Sequence, residues 1–159
     1  MIVGVLSDTH MPSRARRLPE ELEERLRVVD MIIHAGDLTT VALLEHLQSL
    51  APTVAVRGNV DDAGVRFLLP ESRMVVAGRF RIGVVHGDGA SFTTIERARR
   101  AFEDADCIVF GHSHIPTVQI YRSVLMVNPG SPTDPRRQPN PSYAIITVGD
   151  SLDARIHYL

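Results

Sequence analysis

Five separate apolar runs in this chain each end in a residue able to bind a metal ion. Met1–Leu6 leads into Asp8-Thr9-His10, and Val28–Ile33 into Gly36-Asp37. Thr53–Val56 leads into Gly58-Asn59, Arg81–Val85 into His86-Gly87, and Cys107–Phe110 into Gly111-His112-Ser113-His114. Imidazoles combined with carboxylates and one amide oxygen suit borderline, first-row divalent metals. An all-oxygen set would favour magnesium or calcium, and thiolates would favour structural zinc. The set Asp8, His10, Asp37, Asn59, His86, His112 and His114 is too large for one tetrahedral site. It suits two metals sharing a bridging carboxylate, with positions left for water and substrate.

The elements that must position these residues follow from the same runs. A short apolar run bounded by glycine and turn formers predicts a buried strand. In a mostly parallel sheet, ligands gather outside the carboxyl ends of the strands, so donors far apart in sequence would meet in one place. Asp8 and His10 lie two apart, as do His112 and His114; an extended backbone would point both members of each pair the same way. Gly36, Gly58, Gly87 and Gly111 allow tight turns and close backbone approach beside the donors. An isolated Asp-x-His or Gly-Asn is usually no more than a turn. Five such motifs at successive strand ends are a metal centre.

Between the strands, helical patterns alternate. Pro19–Leu26 opens with proline and first-turn acids, with Leu22 and Leu26 on one face. A second helix runs from a Thr39 or Thr40 cap to about Leu50, where Pro52 stops it. Arg73–Val76 and Phe80–Val85 predict an antiparallel hairpin across Ala77-Gly78-Arg79. A third helix is expected over about Phe92–Glu103, opened by Ser91 or Thr93. Thr117–Tyr121, Val124–Asn128, Tyr143–Val148 and Ala154–Tyr158 complete the strands, with a tight turn at Ser123 and a proline-rich loop over Pro129–Pro141. The expected architecture is an α/β fold: a four-layer αββα sandwich of two mixed sheets flanked by helices, in a single domain spanning 1–159.

Composition narrows the function. With 159 residues, 44% hydrophobic, 23% charged and a formal charge of -2, the chain is ordinary for a globular protein. It has no basic excess to make a general nucleic-acid binder. The lone Cys107 excludes an intrachain disulfide framework and a cysteine-based zinc site, and reads as a buried, inert thiol. The N-terminus enters the first strand without a secretory leader, and no apolar stretch approaches the ~18–20 residues of a membrane span. A cytoplasmic location with no membrane partner is the expectation.

The ordered series Asp8-x-His10, Gly36-Asp37, Gly58-Asn59-Val60-Asp61, His86-Gly87 and Gly111-His112-Ser113-His114 resembles the calcineurin-like metallophosphoesterase superfamily. Small size and the Gly-Asn-x-Asp form make it most similar to the YfcE-like phosphodiesterases. The resemblance spans nearly the whole chain, including Asn128-Pro129-Gly130-Ser131. It implies one metal held by Asp8, His10, Asp37 and His114, and a second by Asp37, Asn59, His86 and His112, with Asp37 as the bridge. Two divalent ions are expected, manganese first, with nickel, zinc or iron as other occupants. The implied function is a dinuclear phosphodiesterase, in which a metal-bridging hydroxide attacks phosphorus in line. Asp37, Asn59 and His86 are the residues expected at its catalytic heart, and the substrate is a small-molecule or nucleotide-like phosphoester. Two alternatives stand beside this one: a phosphomonoesterase using the same site, and a non-catalytic scaffold like the retromer subunit related to this family. A scaffold has no need of a complete donor set.

One departure bears on chemistry. Many phosphatases of the superfamily carry Gly-Asn-His-Glu, and this chain has Gly-Asn-Val-Asp. Without that histidine a leaving group of low pKa, needing little protonation, is handled best. Asp61 has three readings: a partner behind a ligand, a proton donor, or the cap of a following turn. His34 is expected to hydrogen-bond beneath the site, and His46 and His157 to be surface or packing residues. Arg14, Arg16 and Arg17 follow the first motif on a loop placed to overhang the site, where phosphate recognition is a hypothesis. Exposed strand edges admit a homodimer or a higher homo-oligomer.

Overall fold

The computed structural model describes residues 1–159. The chain runs β1 (Ile2–Leu6), α1 (Glu20–Leu26), β2 (Met31–Ala35), α2 (Val41–Leu50), β3 (Thr53–Val56), α3 (Ala63–Leu68) and β4 (Ser72–Ala77). It continues β5 (Phe80–Val85), α4 (Thr94–Arg100), β6 (Cys107–Val109), β7 (Thr117–Tyr121), β8 (Val124–Asn128), β9 (Ser142–Val148) and β10 (Leu152–Tyr158). The strands form two five-stranded sheets, in the orders β10-β9-β1-β2-β3 and β4-β5-β6-β8-β7. In the first sheet β1, β2 and β3 run parallel; in the second β5, β6 and β8 do. Antiparallel partners close both sheets, so each is mixed.

Alternation along the strands builds the layers. Val3 and Val5 of β1, Ile33 and Ala35 of β2, and Val56 of β3 point into the space between the sheets. There they meet Ile82, Val84, Cys107, Val109 and Val127. The residues between them face outward: Leu6, Ile32 and Ala55 pack under α1 and α2 through Leu22, Leu26, Leu44 and Leu47. On the far side Ile108, Phe110, Val124 and Met126 pack with Ala98 of α4. With both strand faces buried, these segments read as continuous apolar runs, not as alternating ones. The result is the four-layer α/β sandwich. No helix is long and apolar enough to cross a membrane.

Several boundaries differ from the sequence reading. The second strand begins at Met31, and Val28 is 72% exposed in the turn before it. The Asp30 carboxylate takes the Ile2 N–H at 2.6 Å, which fixes this turn beside β1. The third expected helix is shorter, Thr94–Arg100, because Thr93 and Glu96 form a reciprocal capping box that sets its start. Helix α3 was not expected. It is only six residues, contains Gly64 and buries Val65 alone, too little for a periodic signal. Asp62 caps it, accepting the Val65 N–H at 2.8 Å.

Candidate metal centre

Seven candidate donors converge where five strands end. Asp8 and His10 follow β1, Asp37 follows β2 and Asn59 follows β3; His86 follows β5, and His112 and His114 follow β6. The backbone there is not extended. Asp8, His10, Asp37, His112 and His114 all adopt left-handed conformations, with φ of 56°, 47°, 58°, 66° and 58°. The expectation that an extended backbone aligns each i, i+2 pair is therefore corrected: successive left-handed turns converge them instead. Such conformations are uncommon outside glycine and cluster at functional sites. Backbone bonds between loops hold them, from Asp8 N to Gly36 O and from His10 N to Asp37 O, both 3.0 Å.

Two glycines make the packing feasible. Gly36 has φ 92°, and a Cβ there would sit 2.7 Å from His86 Nδ1. At Gly58 a Cβ would overlap the Asp37 carboxylate. Only a hydrogen fits at either position.

The donor atoms lie close together. His10 Nε2 and His114 Nε2 are 3.2 Å apart, their rings stacked at 15°. Asp8 Oδ1 is 3.4 Å from His114 Nε2 and 4.0 Å from His86 Nε2. Asp37 Oδ2 reaches both sides of the cluster, 3.1 Å from His86 Nε2 and 3.8 Å from His10 Nε2. Asn59 Oδ1 lies 3.2 Å from His86 Nε2 and 3.2 Å from His112 Nδ1. Two overlapping groups result, Asp8 with His10 and His114, and Asp8 with Asp37 and His86. Each carboxylate thus has a geometry open to sharing.

The imidazoles are aimed from behind. His86 Nδ1 lies 2.8 Å from the Ala35 carbonyl, and His114 Nδ1 lies 2.5 Å from that of Asp134. A proton on each Nδ1 leaves the Nε2 lone pair facing the cluster, the arrangement metal-binding histidines use. The Asp37 and Val60 loops are tied together by the Val60 N–H, which donates to Asp37 Oδ1 at 3.0 Å.

Electrostatics favour added positive charge. Burial pushes the Asp8 carboxyl up to about 7. At His86, burial works downward, but the hydrogen bond to Asp37 and the charges of Asp8 and Asp37 overcome it and hold the imidazole at about 9. For Asp37, burial works upward and the His86 bond and charge prevail, bringing it to about 2. Burial lowers His10 and His112, and takes His114 to about 4. Neutral imidazoles at His10, His112 and His114, with His114 Nε2 3.4 Å from the buried Asp8 carboxylate, suit divalent cations, and a cation would take the place of the proton on His86.

Around this cluster the structure sorts the remaining candidates. Asp61 is 4% exposed and takes the backbone N–H groups of Thr39 and Gly58, both at 2.6 Å, and of Asp37 at 3.3 Å. It clamps the Asp37 loop to the Asn59 loop; the cap of the following helix is its neighbour Asp62. His34 lies fully buried beneath, 3.2 Å from Thr9 Oγ1, and burial pushes it down to about 3. His46 binds Glu23 at 2.8 Å between α2 and α1, and His157 stacks on Tyr143.

Arg14 lies against Asp134 at 3.4 Å, on the His114 side. Arg16 and Arg17 instead border a groove with Met11, Leu18 and Leu43, so the three do not act as one group. Beside Asn59 lies a cleft of about 470 Å³, lined also by Arg57, Arg66, Asp88 and Arg97. Arg66 belongs to no motif; Arg97 stands in the basic run Arg97, Arg99 and Arg100, which by sequence reads as a solvated face. The loop from Asn128 braces the site as well: Asn128 Nδ2 donates to Gly111 O at 3.0 Å, and Ser131 Oγ to Asp8 O at 2.7 Å.

Comparison with known proteins agrees with this geometry. A probable metallophosphoesterase of Methanothermobacter thermautotrophicus is 38% identical, over 98% of this chain and 91% of its own length. The fold matches Vps29 of Chaetomium thermophilum at a TM-score of 0.82 and 21% identity, covering 100% of this chain and 97% of that one. It also matches a protein described as a novel archaeal phosphodiesterase, at a TM-score of 0.78 and 22% identity with both chains fully covered. The model of the calcineurin-like phosphoesterase superfamily domain matches residues 1–151, which include all seven donors. From the donors at five strand ends to the match along its length, the chain belongs to the calcineurin-like phosphoesterase superfamily.

Proposed function

We propose that the protein is a dinuclear metal-dependent phosphodiesterase. The observation that carries this reading is the convergence of seven N and O donors, with Asp37 Oδ2 between His10 at 3.8 Å and His86 at 3.1 Å. Asp8, His10, Asp37 and His114 would hold one divalent ion, and Asp37, Asn59, His86 and His112 the other. Bound there, the ions would supply a nucleophile at neutral pH and offset the charge that builds on the phosphoryl oxygens.

The chain's own residues do the rest. Asp37 ties the two halves of the donor set together, and Asp61 fixes its backbone. The Ala35 and Asp134 carbonyls hold the Nδ1 protons of His86 and His114, so Nε2 is the nitrogen offered to a metal, which at His86 would displace the proton shared with Asp37. Asn59 is exposed, so its amide N–H groups are free to donate to a phosphoryl oxygen while Oδ1 faces the imidazoles. No histidine follows Asn59; Val60 is 46% exposed there and cannot protonate a departing oxygen. Esters with leaving groups of low pKa are therefore favoured. The cleft beside Asn59 gives room for the second organic group of a diester, which supports a diesterase over a monoesterase.

Manganese is the first ion to test. Metal-stripped protein, with manganese restored, is expected to hydrolyse bis(p-nitrophenyl) phosphate, and the Asp37→Ala protein is not. No turnover with any of manganese, nickel, zinc or iron would sink the diesterase reading. Activity on p-nitrophenyl phosphate would then favour a monoesterase, and inactivity on both the scaffold. The fold likeness to Vps29 is the one observation on the scaffold's side. The complete donor set opposes it.

A further inference from the structure

We propose that the cleft beside Asn59 binds a second phosphate, carried by the organic group that stays on the scissile phosphorus, and that Arg66 and Arg97 recognise it. This rests on the phosphodiesterase reading and names its substrate class: a nucleotide-like diester bearing an additional phosphomonoester.

The two guanidinium groups are fixed in place without a counter-charge. Arg66 donates from Nε to the Asp61 carbonyl at 2.8 Å and from Nη2 to the Asn59 carbonyl at 2.6 Å. Arg97 donates from Nε to Gly87 O at 2.7 Å and from Nη1 to Ser91 O and Phe92 O at 3.1 and 2.5 Å. Its Nη2 donates to Thr94 Oγ1 at 3.1 Å. Every acceptor is a carbonyl or hydroxyl, and neither arginine forms an ion pair. Arg57, which lines the same cleft, is by contrast paired with Glu71. A guanidinium has five N–H donors. Arg66 spends two on the backbone, so three remain for a ligand, and one remains on Arg97. Arginine suits phosphate because its planar fork matches two oxygens at once, and a fork already held in place loses little freedom on binding.

Position links this charge to the reaction. Arg66 holds the carbonyl of Asn59, whose side chain lies 3.2 Å from both His86 and His112. Arg97 holds the carbonyl next to His86. Arg66 therefore binds the backbone of a residue in the cluster, and Arg97 that of a residue next to one. Glu71 and Asp88 border the cleft as well, so an anion is favoured only beside the arginines. A guanidinium does not release a proton. The cleft accordingly fits the group that keeps its ester bond, not one that must be protonated as it departs.

The test compares the p-nitrophenyl ester of thymidine 5′-phosphate with the same ester carrying a 3′-phosphate, at one ionic strength. The leaving group is identical, and only the second phosphate differs. In the unaltered protein kcat/KM for the 3′-phosphorylated ester is expected to be about tenfold higher or more. The ratio should fall to near 1 in Arg66→Gln, which alters an exposed position on α3, and drop in Arg97→Lys. Arg155→Gln, on the β10 surface, should leave the ratio as it was. A ratio near 1 in the unaltered protein, or one that survives both cleft substitutions, overturns the proposal. Calorimetric titration with thymidine 3′,5′-bisphosphate and thymidine 5′-phosphate reads the cleft without turnover. Tighter binding of the bisphosphate by about tenfold, lost in Arg66→Gln, supports the site; equal binding overturns it. If neither ester is turned over, the phosphodiesterase reading fails separately and the titration alone decides the cleft.

Discussion

The space between the two sheets and the loops at their carboxyl ends belong to the same strands and obey opposite rules. Between the sheets, sixteen residues form an apolar cluster whose side chains follow simple strand alternation. A few residues further along, Asp8, His10, Asp37, His86 and His114 are as well buried and yet polar, and four of these five have left-handed backbones. Each such conformation costs about 1–3 kcal/mol and persists only where its surroundings fix it. The core gains by leaving water, whereas the loops are held by directed bonds from Asp61, Asn128 and Ser131 to neighbouring backbone. The fold can therefore be stable by virtue of one region and reactive by virtue of the other.

Substitutions can test whether the two regions are separable in this way. The largest effect is expected for Asp37→Ala, with manganese-supported hydrolysis of bis(p-nitrophenyl) phosphate falling by at least about 10³-fold, while far-UV circular dichroism stays that of the parent. Loss of the native spectrum would mean that the loops also carry the fold. Ile146→Ala, in the inter-sheet cluster, should cost about 2–5 kcal/mol in urea unfolding and leave kcat of the folded protein unchanged. A selective loss of kcat would show that the core and site are coupled. Asp61→Asn keeps the shape but weakens the acceptor of three backbone N–H groups. Manganese affinity by calorimetry should drop about 10–100-fold, and an unchanged affinity would remove Asp61 from the support of Asp37.

The metal-free protein offers a test by pH. His86 is raised from 6.5 to about 9, so its contribution to stability is fully present below pH 6.5 and is lost as pH rises through 9. Asp8, raised from 3.8 to about 7, acts in the same direction between those values, because the folded state holds its proton longer. Tm of the metal-free protein should therefore fall between pH 7 and 9. A flat or rising Tm would contradict the His86–Asp37 pairing. The smallest effect is set for Ser123→Gly in the β7–β8 turn, where φ is 65°. Relief of a left-handed serine remote from the donor cluster should stabilise by about 0.5–1 kcal/mol, in contrast to the constrained positions of the candidate metal centre.

The sequence alone was enough for the strands and their layering, and it named seven candidate donors that the fold brings together. Both signals are local: an apolar run of strand length marks a buried strand, and a donor placed after it inherits the position of the strand end. Thus Asp37 and His86, 49 residues apart, could be expected at one end of the sheets, while their assignment to one ion came only from the family resemblance. Tertiary structure decided what depends on contacts distant in sequence. The left-handed turns at Asp8 and His112 exist because His112 N donates to the Asp8 carboxylate at 3.0–3.1 Å, a bond that no window of sequence contains. Asp61 became a clamp and not a cap because two loops bring three N–H groups to it. Arg66 has unremarkable neighbours in sequence and Arg97 stands in a basic run; they face one cleft only because α3 and α4 approach the site from different sheets. Periodicity encodes which face of an element is buried; which groups then meet is settled only when the elements pack.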